Sequence, residues 1–167
     1  MISVIARERL TEIFDWAVRE ITSQTVGITL APGGAAPAGE LYTVHIMFDD
    51  HFGTSLCFCA ERALFIRLAQ CMIMEEDISP QDMEAVAKEY LNILCGHIAA
   101  KLFPATKTPV RFSVPAFYSG RYVPEGHVEY IVLTYSGDQQ EKAQLIHCVP
   151  EAGVYGAAAR KLSEGVD

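Results

Sequence analysis

The stretch Ser79-Pro-Gln-Asp-Met-Glu-Ala-Val-Ala-Lys-Glu-Tyr-Leu-Asn-Ile-Leu-Cys-Gly-His-Ile-Ala-Ala-Lys-Leu-Phe-Pro104 decides how the chain is read. Ser79 suits a helix N-cap, Pro80 suits the first helical position, and Pro104 marks the expected stop. The spacing predicts one long helix from Pro80 to about Phe103. At about 100° per residue, Val86, Tyr90, Ile93, Leu94, His97, Ile98 and Leu102 share a broad face that should bury against a sheet. His97 is then expected to be a core histidine.

A second stripe on the same helix holds Ala85, Glu89, Asn92, Gly96 and Ala99. Its only long side chain is Glu89, with Asn92 beside it. The small neighbours leave little relief, so another protein's backbone could approach the carboxylate and the amide closely. Glycine inside a helix costs about 1 kcal/mol relative to alanine, so Gly96 hints at such an approach. By pattern alone the plainer reading, a solvated face or a contact with another helix, is favoured.

Working outward, Ile5, Leu10, Ile13, Phe14, Trp16, Ala17, Val18 and Ile21 predict an amphipathic helix over 3–23 that lies on a sheet. A strand is expected over Val26–Leu30, then a mobile surface loop over Ala31–Gly39. Residues 41–48 and 54–60 read as a hairpin turning through Asp49–Gly53, followed by a helix over Ala60–Met74. Beyond Pro104, strands are expected over Val110–Val114, Val128–Tyr135 and Ala143–Cys148, and a short helix over Ala157–Leu162. The order implies an α+β fold, long helices packed on a mostly antiparallel β-sheet, and one domain over 1–167.

Thirteen Lys and Arg against 21 Asp and Glu give a net charge of -8, with no concentrated basic patch, which argues against nucleic acid. No apolar run approaches the roughly 20 residues that cross a bilayer, so no membrane span and a cytoplasmic location are expected. Five cysteines, at 57, 59, 71, 95 and 148, mostly occupy apolar segments and read as reduced core thiols. Cys57 and Cys59 share a strand face, with His45 and His51 as conceivable neighbours, but the spacing matches no established ligand pattern and no metal site is expected.

Glu89-x-x-Asn92 is followed, after 22 intervening residues, by Pro115 in Phe112-Ser-Val-Pro-Ala116. This resembles the signature of the CheC and CheX chemotaxis phosphatases, which reads Asp or Ser, three residues, Glu, two residues, Asn, 22 residues, Pro. The first position departs, being Ala85, and His97 stands where the family usually has Asn. The single Glu-x-x-Asn site resembles the CheX-like branch, which implies a homodimer. The resemblance implies a phosphatase that dephosphorylates the aspartyl phosphate of a CheY-like response regulator, with Glu89 and Asn92 catalytic. Ala85, Gly96 and Ala99 would then belong to the docking face. Asn92 would orient the attacking water through its amide, and Glu89 would pair with the regulator's active-site lysine. Such a protein needs no cofactor of its own, Mg²⁺ being expected on the partner regulator. The alternative is a non-catalytic module of the same fold that binds a response regulator or scaffold.

Overall fold

The computed structural model describes residues 6–48, 55–106, 111–123 and 129–149. The helical N-terminal segment comprises α1 (Arg7–Trp16), a π-helical turn (Ala17–Ile21) and α2 (Thr22–Val26). Leu10, Ile13, Phe14, Ala17, Val18, Ile21 and Thr22 are buried along it. In an unbroken α-helix the twelve steps from Leu10 to Thr22 would rotate the side chain by about 120° off the starting face. The wider turn, holding one residue more, removes about 100° of that drift and returns Thr22 to the core side.

The expected strand over Val26–Leu30 is corrected here. The helix runs on to Val26 and ends because Gly27 takes the left-handed conformation, φ 70°. The strand, β1 (Leu30–Pro32), begins where that turn has delivered the chain to the sheet edge. Pro32 fits there because an edge strand can dispense with one amide. The following loop is tied down rather than free: Gly33 N–H donates to the Thr134 carbonyl at 2.8 Å, and Ala38 N–H donates to Glu61 at 3.1 Å.

The two hairpin strands form as expected, β2 (Leu41–Met47) pairing antiparallel with β3 (Ser55–Glu61). Their expected turn, Asp49–Gly53, lies outside the described residues, as do His51 and the Ala157–Leu162 tail. Helix α3 (Arg62–Ile73) buries Leu64, Phe65, Leu68 and Ala69, and stops at Met74 in the left-handed conformation. Helix α4 (Pro80–Thr106) carries the cap read from the sequence: Asp82 N–H donates to Ser79 Oγ at 3.0 Å. It does not end at Pro104, which sits exposed in its last turn. Proline there forfeits the bond its own amide would have made to the preceding turn and crowds the carbonyl that would have accepted it, and only two helical residues follow.

Three strands complete the sheet: β4 (Ala116–Ser119), β5 (Glu129–Gly137) and β6 (Lys142–Val149). Every pairing is antiparallel and the order is β1-β5-β6-β3-β2-β4. The fold is therefore α+β, with helices on the sheet face that carries Val44, Ile46, Leu56, Phe58, Leu145 and Tyr135. The strand expected over Val110–Val114 is displaced to β4. Phe112 bridges Phe48 and Ala116 pairs His45, so Ser113, Val114 and Pro115 stand opposite only Ile46 and Met47. That extra residue is a bulge. Ser113 stitches it to β2, donating its N–H to the Met47 carbonyl at 2.9 Å and accepting the Met47 N–H on Oγ at 3.0 Å. Pro115, which has no N–H to give, needs none there.

His147 of β6 is 1 % exposed, with Phe14 at 4.6 Å and Phe48 at 5.6 Å between ring centroids. Among the described residues neither ring nitrogen has a hydrogen-bond partner. Burial lowers its pKa from 6.5 to about 3. The unfolded chain therefore takes up a proton that the folded one refuses. Stability from this group is present above the unfolded value and lost as pH falls from 6.5 towards about 3. Its share should shrink by about 2 kcal/mol between about pH 7 and about pH 5. Urea unfolding of the wild type and of His147→Phe at both pH values checks this: the variant should lose less stability on acidification, and parallel losses would show that other groups govern the acid response.

Candidate active face of the long helix

Helix α4 crosses the sheet with Met83, Val86, Ala87, Tyr90, Leu91, Leu94, Cys95, Ile98 and Leu102 buried. This arc is rotated from the expected one towards Leu91 and Cys95. Ile93 is only half-buried, and His97 is exposed rather than a core histidine. The cause is the N-terminal helix. Trp16 rises beside α4, meets the His97 ring edge-on at 6.3 Å between centroids, and lies under Lys101 Nζ at 4.6 Å. His97 thus packs against an aromatic at the rim of the helix layer, not beneath it.

The rotation leaves the second stripe on the side away from the sheet. Ala85, Glu89, Asn92 and Gly96 are exposed and Ala99 is half-buried. A Cβ added at Gly96 would meet no atom within 4 Å, so packing inside this chain does not demand glycine there. Lys88 donates to Glu84 at 3.1 Å one turn before Asn92, leaving Glu89 outside that pair. Among the described residues no hydrogen bond restrains the Glu89 carboxylate or the Asn92 amide, so both are presented to whatever approaches.

The chain between these two residues is held from below. Tyr90 is 1 % exposed, its ring meets Phe58 at 5.1 Å between centroids, and its hydroxyl lies 2.7 Å from Thr22 Oγ1. Burial pushes the Tyr90 phenol well above its ordinary range, so it stays neutral and hydrogen-bonded. Thr22 carries no pattern signal in Ile21-Thr-Ser-Gln-Thr25, and only the packing of the first helix on α4 brings it to this point. Pro115, the last element of the spaced motif, is buried in the bulge and not on the exposed stripe.

Cys57 and Cys59 are both wholly buried on β3, and His45 stands opposite Cys57 in register. Burial raises the Cys57 thiol strongly, with Cys148 and Cys59 adding to the shift. It therefore stays a neutral thiol and a poor nucleophile. Among the described residues no group of three His, Cys, Asp or Glu is placed to hold a metal ion, and no helix is long and apolar enough to cross a membrane.

The family model "Chemotaxis phosphatase CheX" matches residues 42–135, which run from β2 through α4 to β5. No curated protein matches the sequence. Among solved structures, CheX from Vibrio vulnificus is 16% identical with a TM-score of 0.72, over 86% of this chain and 98% of that one. A complex of CheX with CheY, BeF3 and Mg²⁺ from Borrelia burgdorferi is 16% identical with a TM-score of 0.71, over 85% and 98%. FliY from Thermotoga maritima is 12% identical with a TM-score of 0.60, over 96% and 98%. At these identities the structures speak for the fold, while the family match covers more than half of the sequence and includes Glu89, Asn92 and Pro115. The chain belongs to the CheX family of chemotaxis phosphatases.

Proposed function

We propose that the chain hydrolyses the aspartyl phosphate of a CheY-like response regulator, with Asn92 positioning the attacking water and Glu89 fixing the docked partner. The observation that carries this reading is the exposed Glu89–Asn92 pair on a helix face otherwise lined by Ala85, Gly96 and Ala99, within a CheX-family chain. An acyl phosphate is already activated, and in the Borrelia burgdorferi complex CheX is found together with CheY, BeF3 and Mg²⁺. The phosphatase then needs chiefly to hold a water in line with phosphorus. The Asn92 carbonyl accepts a hydrogen bond from that water and its NH₂ can donate to a phosphoryl oxygen. The Glu89 carboxylate pairs with a regulator lysine through a charge-assisted bond. Ala85, Gly96 and Ala99 stand too low to obstruct the partner's backbone. The chain supplies no cofactor, and Mg²⁺ arrives with the regulator.

The test is the lifetime of a CheY-like regulator of the same genome, phosphorylated with acetyl phosphate, in the presence of catalytic amounts of the protein. A shortened lifetime with repeated turnover supports hydrolysis. Protection or change only at stoichiometric amounts would instead favour a binding module. Glu89→Ala is expected to weaken regulator binding about tenfold, the loss of one charge-assisted bond. A titration with unchanged affinity, alongside unchanged turnover, would remove Glu89 from the docking role.

A further inference from the structure

We infer that Thr22 and Tyr90 are positioning residues for the Glu89–Asn92 pair, acting through a buried hydrogen bond that sets the rotation of α4 about its own axis. The inference rests on the functional reading given above. Tyr90 sits inside the Glu89–Asn92 turn itself, so any rotation that moves its hydroxyl also swings the two exposed side chains. Two anchors fix it: the ring against Phe58, and the hydroxyl against Thr22 Oγ1 at 2.7 Å. An apolar contact alone tolerates sliding, whereas a single buried hydroxyl with one partner has one favourable place.

Thr22 is itself fixed from the sheet. Tyr135 of β5 donates its hydroxyl to Asp15 Oδ1 at 2.8 Å, and Arg19 holds the other Asp15 oxygen at 3.1 Å. The π-helical turn then lies between Asp15 and Thr22 and supplies the extra residue that turns Thr22 inward. A continuous chain of contacts thus runs from β5 through the first helix to the middle of α4. A Phe at 90 and a Val at 22 would fill the same volume, so packing by itself does not require the two hydroxyls.

The double variant Thr22→Val/Tyr90→Phe tests this. It removes both polar partners at nearly constant shape, so its melting temperature should stay close to wild type. Turnover of the phosphorylated regulator should fall about tenfold, with KM changed by less than about threefold, because an error in the angle of Asn92 acts on the reacting geometry more than on docking. Thr22→Ser, which keeps the hydroxyl, should retain most of the wild-type rate. Should the double variant not fold, Tyr90→Phe alone carries the same expectation. A folded variant that turns over at the wild-type rate overturns the inference and leaves the functional reading standing. Wild-type protein that has no effect on the phosphorylated regulator overturns the reading and this inference with it.

Discussion

Asn92→Ala is expected to lower the rate of regulator dephosphorylation about a hundredfold or more while leaving the fold unchanged. Under the proposed mechanism the amide would supply one orienting hydrogen bond to the water and one to the developing charge, each made in full only when the reacting atoms are in line, and the variant would lose both. Removing a single pre-placed donor of this kind typically costs about a hundredfold to a thousandfold. The fold should not notice. Asn92 is exposed on the solvent side of α4, has no hydrogen-bond partner among the described residues, and alanine is the better helix former. The check is single-turnover decay of phosphorylated regulator alongside a thermal melt. Decay at the wild-type rate by a folded Asn92→Ala protein would remove Asn92 from the chemistry.

The largest expected loss of stability comes from Arg67→Ala. Arg67 on α3 donates from Nε to Glu141 Oε2 at 2.6 Å and from its terminal nitrogen to Asp138, binding the helix to the β5–β6 turn. The Glu141 side chain is only 4% exposed and Arg67 16%. Glu141 Oε1 also accepts the Gln139 N–H at 3.0 Å, so the carboxylate is locked in place. Gly137 completes the fit, because a Cβ there would lie 2.3 Å from that same oxygen. Removing the guanidinium leaves a buried carboxylate with one amide for company, which costs about 3 kcal/mol or somewhat more. Arg67→Met/Glu141→Leu, which removes both charges, should cost markedly less than Arg67→Ala. Denaturant unfolding of the three proteins decides it. A loss below about 1 kcal/mol for Arg67→Ala would mean that water reaches Glu141.

Helix and strand identities were legible because they are written in consecutive residues. The Ser79 and Pro80 start, the β-branched and aromatic runs of β2 and β3, and the small-residue stripe of Ala85, Glu89, Asn92 and Gly96 all depend on near neighbours in the chain. The spacing that led to the CheX resemblance is likewise a local text, whereas the pattern left open whether that stripe is solvated or packs on another helix. The two misplaced strands had separate causes. The strand expected over Val26–Leu30 lost to a helix whose end is set by Gly27, and the strand expected before Pro115 slipped past it because the bulge lets β2 pair on both sides of the proline.

By itself, then, the sequence determined most of the helices and the strands β2, β3, β5 and β6, which residues of α4 are small and polar, and the family to which that pattern points. The tertiary structure decided how far α4 is turned, which put Leu91 and Cys95 inside and His97 out beside Trp16. It also decided that Thr22 meets Tyr90, a pair 68 positions apart in the chain. Periodicity fixes the width of an apolar face but only approximately its centre, since each residue contributes about 100° and several neighbouring arcs fit equally well. The choice among them is made by partners that arrive from distant segments.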